Sequence, residues 1–177
     1  MTISAPLTAD DFWASIEDAW ATIPDAAAAR AALIAGPTEG EETLDYEAAS
    51  ALEPHLRPFL AALKTTLQAY TQPQLAAWDA HITQALYDID REDVHAATDG
   101  SDDGFLYARG FIVAVGKDYY DKVNAQPSTY AIEDAEFESI CYEAAHVHDA
   151  RFGEWPPRTV SRESGSNKAG WPSMSRQ

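Results

Sequence analysis

The residue best suited to binding or catalysis at an inward position is an arginine in the segment 101–111, which reads SDDGFLYARGF. Arg109 follows Phe105 by four residues and precedes Ile112 by three, so a helix would place all three side chains on one inward face. A buried guanidinium needs a carboxylate or a bound anion, because a charge removed from water is costly unless it is paired. The segment therefore predicts either a structural ion pair that sets helix packing or a small polar pocket.

Seven residues are candidates for this polar pocket. Asp102 lies seven residues before Arg109 on the same helical face, and Glu138 belongs to a later helix. If the pocket exists, Arg109 would hold an anion, and Asp102 or Asp103 would act as an acid or a ligand. The full candidate set is Asp102, Asp103, Tyr107, Arg109, Glu138, Trp13 and His81. No catalytic residue is assigned among them.

Other combinations of reactive residues give weaker signals. Glu-x-x-His, a ligand pair of carboxylate-bridged metal sites, occurs at Glu92–His95 and at Glu143–His146. A complete site also needs a glutamate from each of two further helices, and the helices predicted between the two pairs contain none. Cys141, the single cysteine, lies on an apolar helix face, where a thiol is typically inert. We therefore predict no metal site and no cofactor.

Amphipathic helices account for almost the whole body of the chain. Apolar residues recur every three or four positions in the first segment, in residues 56–70, in the segment after Pro73 and in residues 134–152. Strand patterns are nearly absent, and even the β-branched run at 111–115 continues a helical stripe. We predict an all-α fold, an irregular or orthogonal bundle of about six to eight helices.

Capping residues indicate where several helices begin and end. Thr8 followed by Asp11 predicts a capping box at the start of the first helix. The acid-rich stretch 88–103 is expected to be broken by turns, and Ser101 is the predicted N-cap of the helix that follows it. Gly116 is the predicted stop of that helix.

The charge is unevenly distributed along the chain. The 177 residues include 29 Asp and Glu against 12 Lys and Arg, a net charge of −17. Residues 1–153, predicted to form a single acidic helical domain, hold 8 basic and 27 acidic residues, a net charge of −19. Residues 154–177 hold 4 basic and 2 acidic residues, and their Ser, Pro and Gly content predicts a flexible, slightly basic C-terminal tail. Trp155 and Trp171 are the side chains that would dock this tail on the body.

The acidity of the body restricts the class of partner. Nucleic acids and anionic membranes need a basic footprint, so neither is expected as a direct partner. A basic protein is the natural complement, and we predict a non-catalytic interaction or regulatory protein, for instance an immunity protein that masks a cationic toxin. The alternative is a small-molecule or peptide-modifying enzyme that uses the polar pocket around Arg109. The single cysteine, together with an N-terminus that lacks the basic and apolar regions of a secretory signal, predicts the cytoplasm.

The segment around Arg109 also carries a resemblance to a family. Residues 101–113 read SDDGFLYARGFIV. The chain resembles the bacterial domain-of-unknown-function family 4240, whose hallmark has the form Ser-Asp-Asp-x-Phe-x-Tyr-Phe-Arg-Gly-Trp-Leu-Ile. Ala108 and Phe111 stand where the family has Phe and Trp, and both departures would reshape the wall of a pocket.

The resemblance extends beyond this hallmark. The first helix contains the Phe12-Trp13 pair that is typical of the family, and the last helix matches its Phe-Glu and Tyr-x-Ala pattern at Phe137 and Tyr142. Together these matches span roughly residues 8–153. The resemblance implies a helical domain and supports the location of the site, and it implies no particular activity.

Overall fold

The protein is built from helices throughout its described part. The computed structural model describes residues 6–44, 46–98 and 101–173, and the side chains of all of these except Asp102. Ten α-helices and no strand occur in these residues, which confirms the predicted all-α bundle; eight of the helices have seven or more residues. They are α1 (Ala9–Ala21), α2 (Ala27–Ala35), α3 (Tyr46–Ser50), α4 (Glu53–Ala69), α5 (Gln72–Asp88), α6 (Glu92–Thr98), α7 (Asp102–Val115), α8 (Lys117–Ala125), α9 (Pro127–Tyr130) and α10 (Glu138–Phe152). None of the helices described has both the length and the apolar content that crossing a bilayer requires.

Side-chain caps begin the helices where the sequence predicts them. The Thr8 hydroxyl accepts a hydrogen bond from the Asp11 N–H at 3.2 Å, and the Asp11 carboxylate accepts one from the Thr8 N–H at 2.9 Å, so the predicted capping box is confirmed. Ser101 caps α7, its hydroxyl accepting from the Gly104 N–H at 3.2 Å. α7 ends at Gly116, whose φ of 119° is a conformation that favours glycine.

The differences from the prediction include an additional helix and a later helix start. The stretch 88–103, expected to be broken by turns before a helix starts at Ser101, also contains the helix α6, because Val94 and Thr98 share a face that the rest of the protein buries. α10 begins at Glu138 rather than near residue 134. The segment before it bends instead of continuing as a helix, and the Phe137 N–H donates to the Tyr107 carbonyl at 2.9 Å.

The centre of the bundle is α10, which contacts α4, α5 and α7. Gly110 lets α7 and α10 approach closely: a Cβ at this position would lie 2.5 Å from the Phe137 carbonyl oxygen and 2.7 Å from the Cys141 sulfur. Cys141 is fully buried at this crossing, and burial raises the pKa of its thiol to about 12. The expected inert, inward-facing thiol is therefore what the structure contains.

The C-terminal segment 154–173 lies along the helical body. Its only regular element among the described residues is a short 3₁₀ turn, Lys168–Gly170. Trp171 is 6% exposed and Arg162 is 2% exposed, whereas Trp155 remains 47% exposed. Both tryptophans proposed to dock the tail contact the body: Trp171 is buried on it, whereas Trp155 packs edge-to-face against His146, with ring centroids 5.5 Å apart, and stays partly exposed. The flexibility predicted from composition stays a prediction; the structure adds the contacts that hold the segment when it is docked.

Candidate functional site

Arg109, the predicted inward arginine, is 0% exposed and surrounded by oxygen acceptors. Its Nη1 donates to the Leu86 carbonyl at 2.8 Å, and its Nη2 donates to the Arg162 carbonyl at 3.0 Å and to the Ser164 hydroxyl at 3.2 Å. Its Nε donates to the Phe105 carbonyl at 3.4 Å, and the Phe105 ring centroid lies 4.5 Å from the guanidinium carbon. The partners of Arg109 are therefore carbonyl and hydroxyl oxygens rather than the carboxylate or anion that the sequence suggested.

A carboxylate nevertheless balances the charge of Arg109 at longer range. Burial lowers the pKa of Arg109, and the charge of Asp90 opposes this shift. Asp90 is 1% exposed and accepts hydrogen bonds from the Gly165 N–H at 2.9 Å, the Asn167 N–H at 2.8 Å and the Trp171 indole N–H at 3.0 Å. Within the described part of the chain, the donors to this buried carboxylate all come from the C-terminal segment.

A second buried carboxylate, Asp79 on α5, is also satisfied by the C-terminal segment. Asp79 is 0% exposed and pairs with the Arg158 Nε at 3.1 Å and the Arg162 Nη2 at 3.0 Å. Arg162 also donates to the Thr83 hydroxyl, and its guanidinium carbon lies 5.4 Å from the Tyr142 ring centroid. Within the described residues, Nε and Nη1 of Arg162 are buried without a hydrogen-bond partner.

These contacts define one surface of the body, which we call the charged groove: Asp79, Asp90, His95, Phe105 and Arg109. The indole of the C-terminal tryptophan packs against its apolar part, with ring centroids 5.2 Å from His95 and 5.9 Å from Phe105. The groove thus offers two buried carboxylates, one buried guanidinium and an aromatic wall. The C-terminal segment supplies the complementary groups, which are two guanidinium groups, backbone N–H and carbonyl groups, and one indole ring.

Sequence reasoning missed both carboxylates of the charged groove. Asp79 occupies a position in the apolar stripe of α5, four residues after Leu75 and three before Ile82, both of which are buried. An aspartate in such a stripe is a signal of a buried, paired carboxylate, and it could have been found in the same way as Arg109. Asp90 follows the end of α5 and carries no comparable signal.

Three other members of the predicted pocket are placed around an exposed part of α7 and α10. Tyr107 is half-buried, and its hydroxyl is hydrogen-bonded to the carboxylate of Glu138. Partial burial and the charges of Glu138 and Asp103 raise the pKa of Tyr107. Asp103 is exposed in the first turn of α7, and the side chain of Asp102 lies outside the described residues. This group faces solvent, while Arg109 faces the interior.

Trp13 and His81, the last two members of the predicted set, line a separate cavity of 140 Å³ together with Tyr120. His81 Nε2 lies 3.1 Å from the Leu7 carbonyl oxygen, so a backbone group already partners this ring. Arg109 does not line this cavity. The six candidate residues with described side chains are therefore distributed over the interior, an exposed acidic edge and a small aromatic cleft.

A larger cavity, of 570 Å³, lies on an acidic part of the surface and was not anticipated. We call it the acidic cavity; its lining includes Tyr46, Asp93, Glu133 and Asp134. Tyr46 is 46% exposed, and its hydroxyl donates to Glu53 at 2.6 Å. Asp134 has a φ of 58°, a left-handed conformation that Asp tolerates better than most residues. The cavity therefore combines an exposed aromatic ring with three carboxylates.

Further acids extend this cavity along the start of α10. Glu133, Asp134, Glu136 and Glu138, which we call the acidic rim, are all exposed, and none makes a salt bridge with another described residue. Partial burial raises the pKa of Glu136, and the charges of Asp134 and Glu138 raise it further. The rim is therefore a surface where negative charges repel one another and a cation would relieve the repulsion.

The fold and these two surfaces define an acidic, all-α domain with an internally satisfied charged groove and an open acidic cavity. The chain belongs to the family described as "Protein of unknown function (DUF4240)", whose model matches residues 7–150. The match confirms the family suggested by the segment around Arg109. It includes all five residues of the charged groove and ends before the segment that fills it. Searches found no similar curated protein and no similar solved structure.

Proposed function

We propose that this protein is a non-catalytic interaction protein that binds a basic protein partner through the acidic cavity and the acidic rim. The observation that carries the proposal is the exposed ring of Tyr46 beside the carboxylates of Glu133 and Asp134, which make no salt bridge with a described residue; the third carboxylate of the cavity, Asp93, pairs with Arg91. An arginine or lysine side chain of a partner would gain a cation–π contact with the ring and charge-assisted hydrogen bonds with the carboxylates. A regulatory or immunity-like role in the cytoplasm fits such a surface.

The overall charge supports the same class of partner. A net charge of −17 attracts a basic protein at long range and speeds its encounter, while the rim acids, which make no salt bridge with a described residue, supply the short-range contacts. Association of this kind weakens as salt screens the charges.

The test compares two triple variants for binding of a fluorescently labelled oligo-arginine peptide, measured by anisotropy at low and physiological salt. Glu133→Gln, Asp134→Asn and Glu136→Gln together neutralise the rim while keeping side-chain size, and Asn tolerates the left-handed conformation at position 134. We expect this variant to bind about tenfold more weakly, because three cation contacts are lost. Tyr46→Ala should weaken binding by roughly threefold through loss of the ring.

The matched control neutralises three exposed acids on other elements: Asp18→Asn, Asp25→Asn and Asp149→Asn. Its net charge equals that of the rim variant, so it should show only the loss of long-range attraction. We expect its affinity for the peptide to fall by about twofold. An equal loss of affinity in the two triple variants would show that net charge, rather than the acidic cavity, attracts the peptide, and the proposal would fail.

A small-molecule or peptide-modifying enzyme centred on Arg109 is the alternative function. It would require Arg109 to release at least one of the four acceptors that now hold its guanidinium. It would also require the residues around Tyr107 or His81 to reach that interior position. No cavity described above joins these groups, so the interaction protein is the better supported function.

A further inference from the structure

The geometry points to the charged groove as a peptide-binding site, with residues 158–171 as its resident occupant and a basic segment of a partner protein as the competitor. The segment that fits carries two arginines four residues apart and a tryptophan nine residues after the second arginine, as the occupant does. The charged groove shares no residue with the acidic cavity, so this inference stands or fails separately from the proposed function.

The first support is the division of the contacts between the family domain and the segment outside it. Asp79, Asp90 and Arg109 lie within the matched range 7–150, and each is 1% exposed or less. The described donors and acceptors that satisfy them come largely from residues 158–171. The charged groove therefore belongs to the family domain, and the segment bound in it lies beyond the matched range.

The second support is the type of contact between the segment and the groove. These contacts resemble those of a bound peptide rather than those of a core helix. Asp79 pairs with two guanidinium groups, and Asp90 accepts hydrogen bonds from two backbone N–H groups and one indole N–H. Arg109 in turn donates to a backbone carbonyl and a hydroxyl of the segment. Backbone recognition combined with side-chain pockets is how proteins bind extended segments.

The third support is the incomplete fit of Arg162. Its side chain is 2% exposed, yet Nε and Nη1 have no partner in the described part of the chain. A buried donor that has no acceptor adds no hydrogen bond to the interaction, so these two N–H groups are where a different ligand could gain hydrogen bonds. A partner segment that places an acceptor beside its second arginine would bind more tightly and displace it.

The connection between body and segment permits such displacement. Gly153, Glu154 and Trp155 are exposed. The described contacts of this stretch with the body are the Glu154 carbonyl with His148, the Glu154 carboxylate with Gln72, and the edge-to-face contact of the Trp155 ring with His146. Release of residues 158–171 therefore requires little change in the helices themselves.

The experiment places a protease recognition site between Gly153 and Glu154 of the full chain and cleaves it after folding. A labelled synthetic peptide with the sequence of residues 154–173 is then added, and exchange is followed by anisotropy and size-exclusion chromatography. We expect the labelled peptide to replace the cleaved segment saturably. The uncleaved chain should bind the same peptide about a hundredfold more weakly, because its tethered segment competes at high effective concentration.

The matched control is the same peptide carrying R158Q and R162Q, which should compete at least about tenfold more weakly because Asp79 loses both cations. Equal competition by the two peptides would overturn the inference. So would a cleaved protein that unfolds, or one that retains its original segment without exchange over a day, since the segment would then be an integral part of the core.

A second measurement uses the unmodified chain. Native-state hydrogen exchange should show the Gly165 and Asn167 amides, which donate to Asp90, exchanging about tenfold or more faster than the buried amides of α5. Equal protection of both sets would mean that the segment opens only when the whole protein unfolds, and it would contradict a displaceable occupant.

Discussion

The charged groove and the acidic cavity use carboxylates in opposite ways. In the groove, Asp79 and Asp90 are buried and every described contact that satisfies them is made by the protein's own C-terminal segment. In the cavity, Glu133 and Asp134 remain exposed without a salt bridge to any described residue. The groove therefore contributes to stability and the cavity is available for binding, although both are acidic.

This difference follows from the cost of burial. A carboxylate that leaves water must find partners within the fold, and removing one partner leaves an uncompensated charge. An exposed carboxylate keeps its hydration, and its interactions with other surface charges are weak. Substitutions in the groove should consequently change the free energy of unfolding, while substitutions in the cavity should change affinity for a cation and leave stability nearly unaltered.

The largest effect is expected for Arg109→Met. The substitution leaves the Leu86 and Arg162 carbonyls without a donor and removes the positive charge that faces Asp90. We expect the free energy of unfolding, measured by urea denaturation, to fall by about 4 kcal/mol. Arg57→Met, at an exposed arginine of α4, is the control and should change it by less than about 0.5 kcal/mol. A comparable loss of stability in both variants would show that Arg109 in the groove matters no more than an exposed arginine.

Asp79→Asn should give the next largest effect. Two arginines, Arg158 and Arg162, lose their counter-charge, and the loss for the buried Arg162 should amount to about 3 kcal/mol. Limited proteolysis should also cut within residues 158–171 faster than in the wild-type protein. Asp88→Asn, at an exposed position on the same helix, provides the comparison. If it accelerates proteolysis equally, Asp79 does not hold the segment.

A smaller effect is expected for Trp171→Ala, which removes the ring that packs against His95 and Phe105 and the donor to Asp90. We expect a loss of about 2 kcal/mol, measured by denaturation or by hydrogen exchange of the C-terminal segment. Trp155→Ala is the natural control, because the Trp155 side chain is 47% exposed and its removal should cost less than about 0.5 kcal/mol. The prediction fails if both tryptophans contribute equally.

These two tryptophans show how far the sequence can be interpreted. Local signals were sufficient for two helix starts and one inward side chain: Thr8 and Ser101 cap the helices they were predicted to cap, and the three- and four-residue spacing around Arg109 correctly placed that side chain inside. Nothing local distinguishes Trp155 from Trp171, since both lie in a segment rich in Ser, Pro and Gly. Their burial depends on contacts with helices far away in the chain.

The partners of Arg109 could not be predicted for a related reason. Three of its acceptors are backbone carbonyls, which every residue carries, and two acceptors come from Arg162 and Ser164, more than 50 residues away in the chain. Side-chain chemistry favoured a carboxylate, and the fold instead supplies carbonyls and balances the charge through Asp90. The acidic cavity escaped prediction because its lining brings together α6 with two segments that are distant in sequence.

The smallest change in the free energy of unfolding is expected at the exposed acidic rim, and it should depend on pH. Burial, followed by the charges of Asp134 and Glu138, raises the pKa of Glu136 in the folded protein above the ordinary 4.5. The ionised form therefore destabilises the fold at neutral pH, and this cost disappears as the pH falls through the raised pKa. Glu136→Gln should raise the free energy of unfolding at neutral pH by roughly 0.3 kcal/mol, since solvent screens so exposed a group. The difference from the wild-type protein should vanish in acid.

Asp11 gives the opposite sign and serves as the comparison for Glu136. Hydrogen bonds from the Thr8 N–H and hydroxyl lower the pKa of Asp11, so its ionised form stabilises α1 above the ordinary aspartate pKa and the stabilisation is lost as the pH falls through the lowered value. Asp11→Asn should therefore reduce stability at neutral pH and converge with the wild-type protein in acid. Denaturation curves recorded from neutral to acidic pH distinguish the two substitutions. If both substitutions change stability at neutral pH in the same direction, the rim acids do not repel one another. The electrostatic argument for cation binding at the acidic cavity would then fail.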